Sequence, residues 1–404
     1  MKRLSITTRI LIGLILGIIV GLFFTSSPGT ASTYIKPFGD LFLNLIKMII
    51  VPLVLSSLVV GAASTGDVGK LGRIGIKTLA YYLLTTAFAV TLGLILGNIL
   101  DPGLGMTLPH DAKVEVSKAP SIVETLLGIV PTNPIKAMVE ANMLQIIVFA
   151  IFIGIAITFI GEKGKPVLNF FDSLAEISYK IVAIIMEYAP IGVFALIVPV
   201  VASNGPAVLL PLLKVIITVY LGCALHAGLV YSTLVWLFAR MSPIKFLRGA
   251  APAMVMAFTT SSSSATLPVS MESSEKNLGV SKSISSFILP LGATINMDGT
   301  AIYQGVCALF VAQVFGINLT LSQQVMIILT ATLASIGTAG VPGAGLIMLT
   351  MVLQSVGLPM EGIALIGGID RILDMARTCI NVTGDIAGSV VVAATEGELK
   401  KEVA

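Results

Sequence analysis

The stretch that organises this chain is DRILDMARTCINVTGDIAG, residues 370–388, a charged run inside a strongly apolar sequence. On an α-helix with about 100° per residue, the polar side chains at 370, 374, 377, 381 and 385 fall within roughly 80° of one another. The opposite side of the same helix is apolar. Such a segment can be buried while it directs acids, an arginine and an amide at one target.

The overall composition is that of a polytopic membrane protein. Hydrophobic residues make up 56% of the 404 residues and charged residues 11%, whereas about a quarter of a soluble protein is charged. The formal net charge of +3 gives no indication of a nucleic-acid partner. Cys223, Cys307 and Cys379 lie in apolar surroundings and are interpreted as isolated small hydrophobes, so no disulfide, redox or zinc chemistry is indicated.

Long apolar segments predict six membrane helices before residue 240. They are placed at about 8–26, 39–64, 73–100, 121–160, 166–199 and 205–239. The first is interpreted as a retained helix and not as a cleaved signal peptide, because no small-x-small cleavage site follows it closely.

Basic residues give the orientation. Basic clusters occupy alternate ends of the predicted spans, so that every second connection is rich in positive charge. They are Lys2, Arg3 and Arg9, then Lys70, Arg73 and Lys77, then Lys163 and Lys165, then Arg240, Lys245 and Arg248, and finally Lys400 and Lys401. By the positive-inside rule, both termini are predicted to be cytoplasmic.

After residue 245 the apolar segments become too short to span. Residues 250–258 rise about 14 Å as a helix, roughly half of a hydrocarbon core, before the polar run TTSSSSATLP at 259–268. This predicts a re-entrant hairpin at 247–282. A second hairpin is predicted at 320–355, with its tip SIGTAGVPGAG at 335–345.

Each predicted hairpin is followed by a long helix with polar residues at its middle. One helix covers 284–314 and is broken by NMDGT at 296–300, and the other covers 359–396 and contains the opening stretch. A hairpin and a broken helix that occur twice, with opposite directions of entry, predict an inverted repeat. Interrupted hydrophobic segments at matching positions of two halves indicate the binding site of a transporter.

The NMDGT break has the chemistry of a cation site. Asn296 and Asp298 offer side-chain oxygens, and a non-helical turn is expected to free the carbonyls of Gly292, Thr294 and Asn296. Hard cations prefer oxygen ligands, and transporters bind Na⁺ with unwound carbonyls together with a carboxylate. Asn381 and Asp385 are the natural partners from the last helix.

The remaining polar groups match an acidic amino acid. The serine run 261–264, near the start of a half-helix, suits one carboxylate. Asp374 suits an ammonium group, and Arg377 suits a second carboxylate through two parallel hydrogen bonds. The plainer alternative is that Asp374 and Arg377 only neutralise each other inside a bundle. The glycine-rich second tip is interpreted as a lid, with a flexible linker as its alternative.

Four stretches carry a family resemblance: SSSSATLP, NMDGTA, GTAGVPGAG and DMARTCINVTGD. In this order they resemble the signatures of the dicarboxylate/amino acid:cation symporter family, over essentially the whole chain. The resemblance implies an all-α polytopic membrane protein with eight transmembrane helices and two re-entrant hairpins, working as an elevator in a homotrimer in the prokaryotic inner membrane. Residues 1–70 and 119–204 would form a static scaffold, and residues 71–118 and 205–404 the mobile transport part.

The resemblance also implies site residues. Substrate is expected to contact Ser262, Ser263, Thr300, Val341, Gly345, Asp374, Arg377, Thr378 and Asn381. Three co-transported sodium ions are expected at Gly292, Asn296, Asn381 and Asp385, at Thr294, Ser335, Ile336 and Thr338, and at Tyr82, Thr85, Thr86, Asn296 and Asp298.

Departures from the family pattern bear on the coupling ion. Archaeal members carry an arginine where this chain has Ser261, and animal members carry one where it has Met375. The extra arginine here is Arg371, as in bacterial proton-coupled relatives. Those relatives resemble a pattern with a glutamate in the serine stretch and an asparagine in place of Asp385, and this sequence has neither. Arg371 and its neighbour Asp370 are expected to shape the site from its edge.

The sequence therefore predicts a secondary-active sodium symporter for aspartate or glutamate, embedded in the lipid bilayer. A proton-coupled symporter of the same substrates is the nearest alternative, followed by a neutral amino acid or simple dicarboxylate symporter. Enzyme chemistry, such as an intramembrane hydrolase, is disfavoured because His226, the only membrane histidine, has no partner motif. A pure channel fits a closed, zwitterion-shaped site poorly.

Overall fold

The computed structural model describes residues 6–63, 70–106, 130–140, 142–205, 209–336 and 343–400. Within those ranges the chain is helical, and its β-type pairing is an isolated bridge between Val280 and Leu399. The first helices are α1 (Ile6–Phe23), α2 (Pro28–Tyr34), α3 (Lys36–Ala63), α4 (Lys70–Leu100), α5 (Pro134–Val139), α6 (Met143–Ile160) and α7 (Lys165–Asn204). The later helices are α8 (Leu209–Leu225), α9 (Ser232–Ala239), α10 (Pro243–Thr260), α11 (Ser263–Glu272), α12 (Lys282–Ile295), α13 (Asp298–Val314), α14 (Leu321–Ala334), α15 (Ala344–Ser355) and α16 (Gly362–Glu396).

Where the structure describes them, the predicted membrane spans are mainly helical. Four stretches of the described chain are long and apolar enough to cross a membrane: Arg73–Leu100, Gln145–Ile185, Leu209–Ala239 and Leu365–Glu396. Two of them coincide with the predicted spans at 73–100 and 205–239. The fourth predicted span, at 121–160, lies partly outside the described residues.

Helix packing separates two sets of helices. α1, α3, α6 and α7 pack mainly against one another, whereas α16 is surrounded by α8 to α13. α16 also touches α1 and α7. It is therefore buried along most of its length, which explains why a charged stripe on it must find partners inside the protein.

The break at NMDGT is confirmed and is short. α12 ends at Ile295, Asn296 is extended with φ −87° and ψ 104°, and α13 begins at Asp298. Two residues therefore interrupt an otherwise continuous pair of helices. The break holds one carboxamide side chain, that of Asn296, and one carboxylate side chain, that of Asp298.

The first hairpin is a helical hairpin, but its polar run is far less unwound than predicted. α10 is 18 residues long, and the chain leaves the helix only at Ser261 and Ser262. The expectation of a short arm at 250–258 with a polar tip at 259–268 was wrong in extent. The reason is that the Thr259 and Thr260 hydroxyls donate to carbonyls of the preceding turn, at 3.0 and 2.8 Å, so these polar residues stay helical.

The second hairpin has arms α14 and α15. α14 begins with a capping box, in which the Thr320 hydroxyl accepts the Gln323 N–H and the Gln323 side chain returns to Thr320. Most of its tip, residues 337–342, lies outside the described residues.

A π-helical turn, His226–Tyr231, joins α8 to α9 without ending the helix. A second π-helical turn, Ser273–Asn277, follows α11. Such turns carry one extra residue per turn and are frequent at functional sites.

Candidate functional site

The charged stripe of α16 forms one buried network of four side chains. The Arg377 Nη1 donates to Asp370 Oδ1 at 2.7 Å, and Arg377 Nη2 lies 2.9 Å from Asp374 Oδ1. The Arg371 Nη1 donates to Asp374 Oδ2 at 3.4 Å. All four side chains are at most 8% exposed. Asp370 and Arg371, which were expected at the edge of the site, are both bonded into this buried network.

Arg377 is enclosed by groups from other helices. Its guanidinium carbon lies 4.0 Å from the centroid of the Tyr303 ring, a cation–π distance. A Cβ added at Gly345 would lie 2.8 Å from that same carbon, so the start of α15 approaches the guanidinium more closely than any other residue type allows. A Cβ at Gly299 would lie 2.3 Å from the Arg377 carbonyl oxygen. Glycine at these two positions sets the width of the site.

Asp374 and Asn381 connect the stripe to the neighbouring elements. Asp374 Oδ2 also accepts the Gly343 N–H at 3.2 Å, and Asp374 Oδ1 accepts the Thr378 hydroxyl at 3.5 Å. Asn381 Oδ1 accepts the Gly299 N–H at 2.8 Å, and Asn381 Nδ2 donates to the Thr300 hydroxyl at 3.4 Å. The structure thus brings together the expected substrate residues Thr300, Gly345, Asp374, Arg377, Thr378 and Asn381.

The serine run of the first hairpin lies at its turn. Ser262 caps α11 by accepting the Ala265 N–H at 3.2 Å, and Ser261 has a left-handed conformation with φ +51°. Ser263 is buried, at 2% exposure. α11 packs against α16. Val341, also expected at the substrate, lies outside the described residues.

The expected first sodium set is assembled around Asp385. Asn296 Nδ2 donates to Asp385 Oδ1 at 3.0 Å and to the Asn381 carbonyl at 2.9 Å. A Cβ at Gly292 would lie 2.5 Å from both Asp385 Oδ1 and the Tyr82 hydroxyl. The Gly292 carbonyl, expected to be free, accepts the Asn296 N–H at 2.8 Å. That expectation was wrong because the helix closes one more turn before the break.

A second carboxylate, that of Asp298, has three polar neighbours from α4 and from the turn between α8 and α9. The Thr86 hydroxyl donates to its Oδ1 at 2.6 Å, and the Tyr231 hydroxyl donates to its Oδ2 at 2.7 Å. His226 Nε2 lies 3.1 Å from the same Oδ2. Thr85, from the same expected set, donates instead to the Tyr82 carbonyl at 3.1 Å.

In the remaining expected set, the residues that the structure describes are not joined by hydrogen bonds to one another. The hydroxyls of Thr294 and Ser335 donate to carbonyls one turn earlier in their own helices, at 2.9 and 2.7 Å. Ile336 is buried, and Thr338 lies outside the described residues. Among the described residues, no hydrogen bond links Thr294 to Ser335 or Ile336.

Among the described residues, arginines pair with two of the four buried aspartates of the site. Asp370 and Asp374 are matched by Arg371 and Arg377, whereas within the described ranges Asp298 and Asp385 have no lysine or arginine in an ion pair. The Asn296 Oδ1 atom beside them is buried and has no hydrogen-bond partner among the residues that the structure describes. Carboxylates in an apolar interior are costly without a cation. These oxygens therefore have the chemistry of a site for a small hard cation.

Comparison with known proteins agrees with this arrangement. Residues 6–395 match the sequence model of the sodium:dicarboxylate symporter family. The chain belongs to that family. It is therefore a membrane transporter of the symporter class and not an enzyme, in agreement with the apolar helices of the described residues.

Relatives in the sodium:dicarboxylate symporter family are similar over their full length. The chain is 41% identical to the proton/sodium-glutamate symport protein of Geobacillus stearothermophilus, over 100% of this chain and 97% of that protein. It is 42% identical to the protein of the same name in Bacillus subtilis (strain 168), over 98% and 94%. It is 38% identical to the proton/glutamate-aspartate symporter of Escherichia coli (strain K12), over 100% and 95%.

Sequence reasoning about this sodium:dicarboxylate symporter family member missed two contributors. His226 and Tyr231 both reach Asp298, although His226 has no partner motif along the chain. The available signal was burial chemistry alone: a lone histidine in an apolar helix needs a polar partner, and Asp298 was the nearest unpaired acid in the predicted broken helix.

Proposed function

We propose that the protein imports aspartate, glutamate or both together with sodium ions by alternating access. The observation that carries this proposal is the charge distribution of the site. A network of two acids and two arginines that contains Arg377 lies next to two buried aspartates, Asp298 and Asp385, that have no lysine or arginine partner among the described residues. Arg377 supplies a bidentate partner for a substrate carboxylate, and the two aspartates supply oxygen ligands for co-transported cations.

The charge arithmetic supports the coupling. Sodium at Asp298 and at Asp385 would offset both unmatched carboxylates, and the substrate is a monoanion. A monoanion that moves with two Na⁺ carries one net positive charge, which a membrane potential drives inward with about 2.3 kcal/mol per 100 mV. A sodium ion at the NMDGT break would also lie next to Asn381. This residue would link the proposed sodium-binding residues to the proposed substrate-binding residues.

The proposed architecture has eight transmembrane helices and two re-entrant hairpins arranged as inverted repeats. In it, α1, α3, α6 and α7 form a trimerisation scaffold in a homotrimer, and α4 with α8 to α16 form the mobile transport part of an elevator. The separate packing of these two sets of helices supports this division. Both termini would lie on the cytoplasmic side of a prokaryotic inner membrane, as the basic clusters indicate.

Uptake of labelled aspartate into proteoliposomes tests the proposal, with the Na⁺ gradient and the pH gradient imposed separately. We expect uptake that requires external Na⁺ and increases with an inside-negative potential. Uptake that follows a pH gradient alone, with no sodium requirement, would instead support proton-coupled transport of the same substrates. The reason to test this alternative is that the names of the relatives include proton, alone in one case and together with sodium in the other.

The Arg377→Cys variant tests the substrate assignment. It should abolish binding of aspartate and glutamate in calorimetry, because it removes the only buried guanidinium that stacks on Tyr303 in the described structure. Arg248→Cys is the matched control, since Arg248 is exposed on α10 and is expected to leave binding unchanged. Retained micromolar aspartate affinity in Arg377→Cys would refute the assignment.

A further inference from the structure

Arg371 is the member of the four-charge network whose role the proposed function leaves unassigned. Its side chain is 4% exposed, and its guanidinium is bonded to Asp374 and not to solvent. The charges alternate along the network in the order Asp370, Arg377, Asp374, Arg371. The network is therefore neutral before any substrate binds.

Arg371 lies at the oxygen that a substrate ammonium group would need. Asp374 Oδ2 accepts the Arg371 Nη1–H at 3.4 Å and the Gly343 N–H at 3.2 Å. Asp374 Oδ1 faces Arg377 Nη2 at 2.9 Å and accepts the Thr378 hydroxyl. The carboxylate is thus surrounded by donors. An incoming ammonium group has to replace one of them, and Arg371 makes the longest of the charged contacts.

We propose that Arg371 is a specificity-determining residue that acts as a tethered competitor for the ammonium subsite on Asp374. This inference rests on the proposed function, since it takes Asp374 and Arg377 as substrate-binding groups. When a substrate carries an ammonium group, that group displaces Arg371 from Asp374. When a substrate has no ammonium group, Arg371 stays in place and keeps Asp374 neutralised.

The consequence concerns four-carbon dicarboxylates without an amino group, such as succinate. In a site with Asp374 and no Arg371, succinate would place a carboxylate beside a buried acid whose remaining partner, Arg377, is also paired with Asp370 and would have to bind the substrate as well, which is unfavourable. With Arg371 in place the network remains neutral, and the deaminated analogue is accepted. Arg371 therefore lowers the affinity for aspartate and raises the affinity for succinate.

Competition binding on the purified protein tests this role. Labelled aspartate is bound at saturating Na⁺ and displaced by unlabelled aspartate or by succinate, for the wild type and for Arg371→Gln and Arg371→Lys. We expect succinate to displace the label from the wild type. In Arg371→Gln the ratio of succinate to aspartate half-displacement concentrations should rise by about tenfold or more, which is about 1.4 kcal/mol of discrimination. Arg371→Lys keeps the positive charge and should keep the ratio close to that of the wild type.

The outcomes distinguish a failure of the role of Arg371 from a failure of the proposed function. A wild type that binds aspartate but is not displaced by succinate overturns the role of Arg371 and leaves the proposed function standing. An unchanged ratio in Arg371→Gln, with a melting temperature like that of the wild type, overturns it as well. A wild type that binds neither aspartate nor glutamate refutes the proposed function itself. If Arg371→Gln does not fold, a wild type that succinate does not displace still overturns the inference.

Discussion

Replacing Gly299 by alanine should separate α13 from α16 and disable the site. The added Cβ would lie 2.3 Å from the Arg377 carbonyl oxygen and 2.6 Å from its Cα, whereas ordinary contact begins at 3.4 Å. Both atoms belong to the backbone, so the two helices must move apart by about 1 Å. Overpacking of this kind costs about 1–3 kcal/mol. A displacement of about 1 Å of binding groups can cost about a hundredfold in function.

The affinity should fall because Gly299 and Thr300 are bonded to Asn381 across this same contact. We expect calorimetry at saturating Na⁺ to give an aspartate dissociation constant raised by about a hundredfold, together with a lower melting temperature. Gly228→Ala is the matched control. Gly228 is also a glycine in a membrane helix, but an added Cβ there meets nothing within 4 Å. Wild-type affinity and stability in Gly299→Ala would refute the close packing of α13 on α16.

Three further variants test individual contacts. His226→Leu removes a neighbour of the Asp298 carboxylate and should raise the Na⁺ concentration for half-maximal aspartate binding, whereas His226→Gln keeps an N–H donor and should restore most of it. Ser262→Ala removes the cap of α11 and should destabilise the first hairpin by about 0.5–2 kcal/mol, measured by hydrogen exchange of that segment, with Ser262→Asn as the control that keeps a cap. Glu396→Gln removes the shared acceptor of two basic side chains on α4 and should lower the melting temperature at low salt, with a smaller difference at high salt, since screening already weakens the pairs.

The features that sequence predicted well are those set by local spacing. The stripe on α16 follows from helical periodicity, because side chains three and four residues apart share one face. The break before α13 follows from Asn296 and Asp298 inside an apolar helix. The structure confirms that Asp370, Asp374, Arg377, Asn381 and Asp385 lie on one buried helix.

The features that sequence did not predict depend on contacts between distant parts of the chain. His226 and Asp298 are 72 residues apart, and no pattern along the chain pairs them. The extent of the first hairpin was mispredicted for a different reason. Hydroxyl groups such as that of Thr260 can donate hydrogen bonds to carbonyls of their own helix. A run of polar residues therefore does not require an unwound segment.

The π-helical turn at His226–Tyr231 makes the Asp298 cluster depend on chain length as well as on residue type. On an ordinary α-helix, residues five apart point about 140° away from each other, so one carboxylate oxygen could not receive both. The wider π-helical turn brings the first and last residues of the segment to the same side, and their rings stack edge-to-face with centroids 4.7 Å apart. Deleting Ala227 from this turn would keep every side chain of the cluster in the sequence and still turn one of them away from the Asp298 carboxylate.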